Sequence, residues 1–190
     1  MKKNVKIIFS LVFITSVCAA LLAFVYEKTL NPIKNAEDDL YLEMITDVLP
    51  LDFDNNPYAE KIVLRGDNKR EFLELYPAKK GEKIVGVAVK TYSKKGYGGQ
   101  LNLIVGFFVD GRINKFKLLS NKETPGLGTK VEEDKFMGAL NGFNPRYGDL
   151  RVTQDGGDID AVSAATISSR AVLEAIEKAY SVYQTYKGEH

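Results

Sequence analysis

The sequence holds 190 residues, with 26 basic and 25 acidic side chains, one cysteine (Cys18) and one histidine (His190). That length suits one ordinary domain with a short appendage, and the near-zero net charge leaves no electrostatic footprint for nucleic acid. A lone cysteine excludes an internal disulfide and an iron–sulfur cluster, which needs several thiolates; with one terminal histidine it also excludes a Cys/His zinc site and an internal haem ligand.

The first element decides the compartment. From Ile7 to Tyr26 the chain reads IIFSLVFITSVCAALLAFVY, an uncharged run of twenty residues, long enough to cross a bilayer as a helix. Lys2, Lys3 and Lys6 precede it with no acid among them. The positive-inside rule then places the N-terminus in the cytoplasm and everything after Tyr26 outside, as a single-pass protein of the cell inner (cytoplasmic) membrane. A cleaved signal peptide is the competing reading, but the run is longer than a signal core, and Cys18-Ala19-Ala20 lies within it. Residues 1–26 are thus assigned to a cytoplasmic tail and anchor in contact with lipid. Residues 27–190 are assigned to one extracytoplasmic α+β domain, an antiparallel sheet with flanking helices.

In that domain a helix is expected to open at Asn35-Ala36-Glu37-Asp38-Asp39, with acids in its first turn. Leu40, Met44, Ile45, Val48 and Leu49 would form its apolar face, and Pro50 would stop it. A polar connection, Asp52 to Pro57, precedes the strand signals. These are Lys61–Leu64, the alternating Glu71–Tyr76, and the β-rich Ile84–Val89 and Leu101–Val109. Asp110-Gly111 signals a hairpin turn, and Ile113 to Leu119 is the returning strand. A short helix is predicted over Glu132–Asn141 and a longer one from about Ser163 to Tyr186. The longer helix carries Ala171, Val172, Ala175, Ile176, Ala179 and Val182 on one face.

Two stretches stand out from this pattern. In Glu123-Thr124-Pro125-Gly126-Leu127-Gly128, Pro125-Gly126 fixes a turn, and Gly128 lets a backbone approach something flat or anionic. Taken alone it reads more simply as a connecting loop. Asp160-Ala161-Val162-Ser163-Ala164-Ala165-Thr166-Ile167-Ser168-Ser169 leads into the final helix. Its hydroxyls sit where free N–H groups and the positive end of the helix dipole favour a phosphate. They also suit an ordinary helix start, with Ser163 as N-cap.

Together with the anchor and with Gly96-Tyr97-Gly98-Gly99 before the strand that ends at Asp110-Gly111, these stretches form a signature. The chain resembles the FMN-binding domain family of the Rnf and sodium-pumping NADH:quinone oxidoreductase complexes, and within it the G subunits of Rnf. The resemblance covers nearly the whole chain. It implies one FMN, covalently bound: a flavin transferase uses FAD to attach it through a phosphoester to a motif threonine, which by position is Thr166. Asp160, Ser163, Ala164, Ala165 and Ile167 belong to the same motif. Glu123, Thr124, Gly126, Leu127 and Gly128, with Tyr97, Gly98 and Gly99, would flank the flavin. Two readings of Tyr97 stand, a ring stacked on the flavin and a core tyrosine.

Two positions depart from the family pattern. Ala164 replaces a usual Gly, adding a methyl where the transferase needs access, and Ile167 replaces a usual Ser or Thr, removing a hydroxyl near the phosphate. Modification is expected to survive both. A threonine hydroxyl is a weak nucleophile unaided, so the transferase must supply most of the activation.

The resemblance further implies an electron-transfer subunit, partnered by the other subunits of a membrane Rnf complex that couples ferredoxin:NAD⁺ electron transfer to ion translocation. No catalytic activity is expected of it alone, and it has no G-x-G-x-x-G stretch after a strand for nicotinamide. Two alternatives are carried. One is the C subunit of a sodium-pumping NADH:quinone oxidoreductase, and the other a non-redox membrane-anchored binding or assembly module.

Overall fold

The computed structural model describes residues 2–50, 52–66, 71–120, 123, 126 and 128–189. The chain divides into two compact units, Met1–Tyr41 and Leu42–His190.

Helix α1 (Lys2–Val48) supplies the whole of the first unit. Its apolar side chains, among them Phe9, Phe13, Leu22 and Phe24, are exposed rather than packed on protein. It is the one described helix long and apolar enough to cross a membrane. The helix expected to open separately at Asn35 is not separate. The residues after Tyr26 continue the same helix, and Pro32 lies inside it without ending it. The stop is as predicted, since helical structure ends two residues before Pro50, where a proline disfavours the α conformation of its predecessor. Ile45, Val48 and Leu49 are buried as expected, whereas Leu40 is exposed.

The second unit is built on a five-stranded antiparallel sheet in the order β1 (Ile62–Arg65), β2 (Phe72–Lys80), β3 (Lys83–Gly96), β4 (Gly99–Phe108), β5 (Ile113–Ser120). Every strand pairs with its sequence neighbour. Alternation of side chains across the strands gives the sheet two apolar faces. Leu73, Leu75, Val87, Val89, Leu101, Leu103, Val105 and Phe107 point one way, into a core shared with helix α2 (Asp134–Leu140) and helix α3 (Thr166–Glu189). Tyr76, Ala78, Ala88 and Ile104 point the other way, onto Ile45, Val48 and Leu49.

The last turn of α1 is seated closely. Asn114 Nδ2 donates to the Val48 carbonyl at 2.8 Å, and a Cβ added at Gly106 would overlap that carbonyl. Gly86 lies as tightly under Pro50, whose Cδ would be 2.6 Å from a Cβ there.

The predicted strands are all present, but β3 runs on past Val89 to Gly96. The polar residues in this extension are accommodated by α3: Thr91 Oγ1 donates to the Ala175 carbonyl at 3.0 Å, and Ser93 Oγ to Glu174 Oε2 at 2.8 Å. Tyr97 and Gly98 then form a two-residue hairpin turn, with Gly96 paired to Gly99. The short helix is preceded by a 3₁₀ turn, Gly128–Glu132. The six small apolar residues predicted for the inner face of α3 are all buried.

Candidate functional site

The start of α3 lies three residues later than the sequence suggested, and the local geometry gives the reason. Ala165 N–H donates to the Val162 carbonyl at 3.0 Å, closing a turn over Ser163 and Ala164. Ala164 has φ +63°, the one positive value among the described non-glycine residues. A left-handed residue cannot sit inside a right-handed helix, so Ser163 is not the N-cap. That position falls to Ala165, whose carbonyl accepts the N–H of Ser169 at 2.9 Å. Alanine brings no capping oxygen.

Buried serines hold the start instead. Ser169 Oγ donates to the Ala165 carbonyl and accepts the Val162 N–H, both at 3.0 Å, which ties the turn to the helix. Ser168 Oγ donates to Glu123 Oε2 at 2.7 Å. Thr166 is therefore the first residue of the helix, half-buried, among amides that have no acceptor within it.

Thr166 opens on a cavity of about 610 Å³ lined by Tyr97, Glu123, Gly128, Ala164, Ala165, Thr166, Ile167 and Ser168. That volume lies within the roughly 300–1,000 Å³ typical of ligand clefts. The hairpin turn, Glu123 with Gly128, and the start of α3 are thus brought together from three parts of the chain. Tyr97 is 71% exposed, which disposes of the core reading and leaves its ring at the cavity rim. Ile167 is 48% exposed and adds a large apolar side chain to the lining. Gly98 contributes its N–H to Glu123 Oε1 at 3.3 Å. Gly99, at φ +114°, closes the hairpin, and the exposed Gly126 donates its N–H to Thr129 Oγ1 at 3.0 Å. Thr124, Pro125 and Leu127 lie outside the described residues.

Two motif residues sit elsewhere. Asp160 is exposed and accepts from Thr153 Oγ1 at 3.2 Å. With Ser163 it lines a separate cleft of about 310 Å³, which also includes Lys130, Phe136 and Asp158. The motif read as one stretch in sequence is thus divided: Asp160 and Ser163 face one cleft, Thr166 the other, and Ala164 marks the bend between them. Ser168, one of the hydroxyls that the sequence places at the helix start, also lines the cavity. Its role depends on Glu123, 45 positions away, and no local pattern signals that.

The hairpin turn, the Glu123 carboxylate and the hydroxyl at the start of α3 thus share one cavity. Residues 96–181 match the FMN-binding domain family. Over longer stretches the chain is similar to proteins named as the G subunit of an ion-translocating oxidoreductase complex. The relative from Vibrio cholerae serotype O1 is 31% identical over 172 residues, spanning 86% of this chain and 82% of its own. That from Methanosarcina acetivorans is 30% identical over 188 residues, 98% of each chain. The chain belongs to this family of G subunits of ion-translocating oxidoreductase complexes. Among solved structures, Shewanella oneidensis NqrC superimposes with a TM-score of 0.60 at 16% identity, over 82% of this chain and 98% of that one. The C subunit of the Na⁺-translocating NADH-quinone reductase from Parabacteroides distasonis gives 0.56 at 18% identity, over 81% and 94%. At these identities the likeness shows a shared fold.

Proposed function

We propose that this chain is the electron-transfer subunit of an Rnf-type complex, carrying one FMN as a phosphoester on Thr166 in a domain outside the cytoplasmic membrane. The observation that carries the reading is that Thr166, the first residue of α3, opens on the same cavity as Tyr97, Glu123 and Gly128. The residues present fit the group. The Thr166 hydroxyl would form the ester, the first amides of α3 would face the phosphate at the positive end of the helix, and Tyr97 and Ile167 would offer apolar surface to the ring. Gly128 makes room for the Glu123 carboxylate, which a Cβ there would overlap. When bound, the flavin supplies the one- and two-electron chemistry, and the protein tunes it through hydrogen bonds and burial.

The relatives named as complex subunits support assembly with other subunits of such a complex. A flavin transferase would serve maturation, since a threonine hydroxyl is a weak nucleophile unaided. The exposed apolar helix and the three preceding lysines support a single span at about residues 7–26 with the domain outside. The C-subunit alternative draws on the likeness to the two solved structures, which is one of fold.

The deciding experiment is intact mass and in-gel flavin fluorescence of the full chain co-expressed with an active flavin transferase. An FMN adduct on Thr166 is expected, and a chain of unmodified mass would remove the basis for a covalent flavoprotein. A reporter active only in the cytoplasm, fused after the last residue, should be silent. Its activity would refute the orientation.

A further inference from the structure

We infer that Glu123 is the positioning residue of the cavity, a clamp that holds the hairpin turn against the start of α3 and so fixes where a ring can lie. The inference rests on the flavin reading above and adds to it a group that need not touch the flavin at all.

The observations are geometric. Glu123 is 6% exposed, although a carboxylate is normally left in water. Its two oxygens are used in different directions. Oε2 accepts the Ser168 hydroxyl at 2.7 Å, and Oε1 accepts the Gly98 N–H at 3.3 Å. Ser168 is in the first turn of α3 and 1% exposed, and Gly98 is in the turn joining β3 and β4. One side chain thus bridges the hairpin turn and the start of α3. Space for it is made by two glycines: a Cβ at Gly96 would fall 2.7 Å from Oε1, and one at Gly128 would overlap Oε2.

Tyr97 sits between Gly96 and Gly98, so whatever fixes those two residues also fixes the base of the Tyr97 side chain. Thr166 sits two residues before Ser168. The clamp therefore sets the separation of the attachment hydroxyl and the rim aromatic, the two ends of the proposed flavin site. A carboxylate suits the task because both oxygens are acceptors facing donors. Glutamine would turn an NH₂ donor toward one of them.

The test uses the full chain in detergent, as wild type, Glu123→Gln and Ser168→Ala. Hydrogen exchange of peptides spanning residues 95–101, read by mass spectrometry, needs no flavin. Both variants should exchange there about tenfold faster than wild type. After co-expression with a flavin transferase, both should carry flavin on Thr166 with lower fluorescence anisotropy and a shifted midpoint potential. Unchanged exchange in Ser168→Ala, or wild-type anisotropy and potential in both labelled variants, would overturn the clamp. If wild type takes up no flavin, the covalent reading falls, while the exchange measurement still judges the clamp. If Glu123→Gln does not fold, Ser168→Ala keeps the carboxylate and decides the matter.

Discussion

The Ser168 hydroxyl donates to the Glu123 carboxylate at 2.7 Å, and the bond removes Ser168 from the hydroxyls available at the start of α3. Ser169 is likewise buried, with its Oγ engaged by Ala165 and Val162. Thr166 lines the cavity together with the engaged Ser168, and Ser163 faces a different cleft.

Thr166→Val should therefore abolish flavin attachment without rerouting it to the neighbouring serines. Valine keeps the branched shape at the first helical position, so thermal unfolding should change little. Thr166→Ser should keep some labelling. The readouts are intact mass and in-gel fluorescence, and an FMN adduct on the valine variant would place the ester elsewhere.

Ala164→Gly should stabilise the protein. A left-handed conformation costs a non-glycine residue roughly 1–2 kcal/mol, offset in part by the extra freedom glycine gives the unfolded chain. The net expectation is a gain of roughly 0.5–1 kcal/mol in urea unfolding. The Ala164 methyl lines the Thr166 cavity, and at φ +63° it adds backbone strain beside its bulk. A loss of stability in the glycine variant would mean that the turn is not strained.

The strands were legible because alternation along β2 to β5 meets two apolar layers and leaves few ambiguous positions. The extension of β3 was not, because Thr91 and Ser93 look like surface residues until Ala175 and Glu174 are placed against them. The start of α3 was misplaced for a related reason. Ser163 has the chemistry of an N-cap, but the φ of Ala164 is a property of the backbone, not of the residue type. Thr166, Glu123, Gly128 and Tyr97 were legible as parts of motifs. Their convergence on one cavity is tertiary, and so is the diversion of Asp160 and Ser163 to another.

Gly106→Ala should cost roughly 2–3 kcal/mol, in the range for overpacking a close-fitting contact. The added methyl would overlap the Val48 carbonyl and push the last turn of α1 off the sheet. The hydrogen bond from Asn114 to that carbonyl would be lost with it. Urea denaturation of the full chain in detergent measures the effect. A change below about 0.5 kcal/mol, the usual scale of a surface substitution, would show that this contact can open freely.

Asp47 should make stability depend on acid. Its carboxyl is held below the ordinary value of 3.8, chiefly by the hydrogen bond from Lys115, with Lys117 adding to it against the opposing effect of burial. A depressed carboxylate contributes stability above its unfolded pKa and loses it as the pH falls through the folded value. Wild type should therefore exceed Asp47→Asn in unfolding free energy at pH 6, and the gap should close as the pH drops below 3.8. A gap that stayed constant down to the acid limit would rule out this origin.

The order of the sheet, each strand beside its sequence neighbour, bears on when the proposed flavin could be attached. Such a meander zips from local hairpins, and local pairing is fast. The tight turn at Tyr97-Gly98 can close while the remainder of the chain is still being made. Helix α3 comes from the far end of the sequence and must cross back over β3 before Thr166 has a cavity to open on. On the proposed function, attachment by a transferase would act as a checkpoint on the folding of this subunit: the chains that acquired colour would be those whose last helix had already docked.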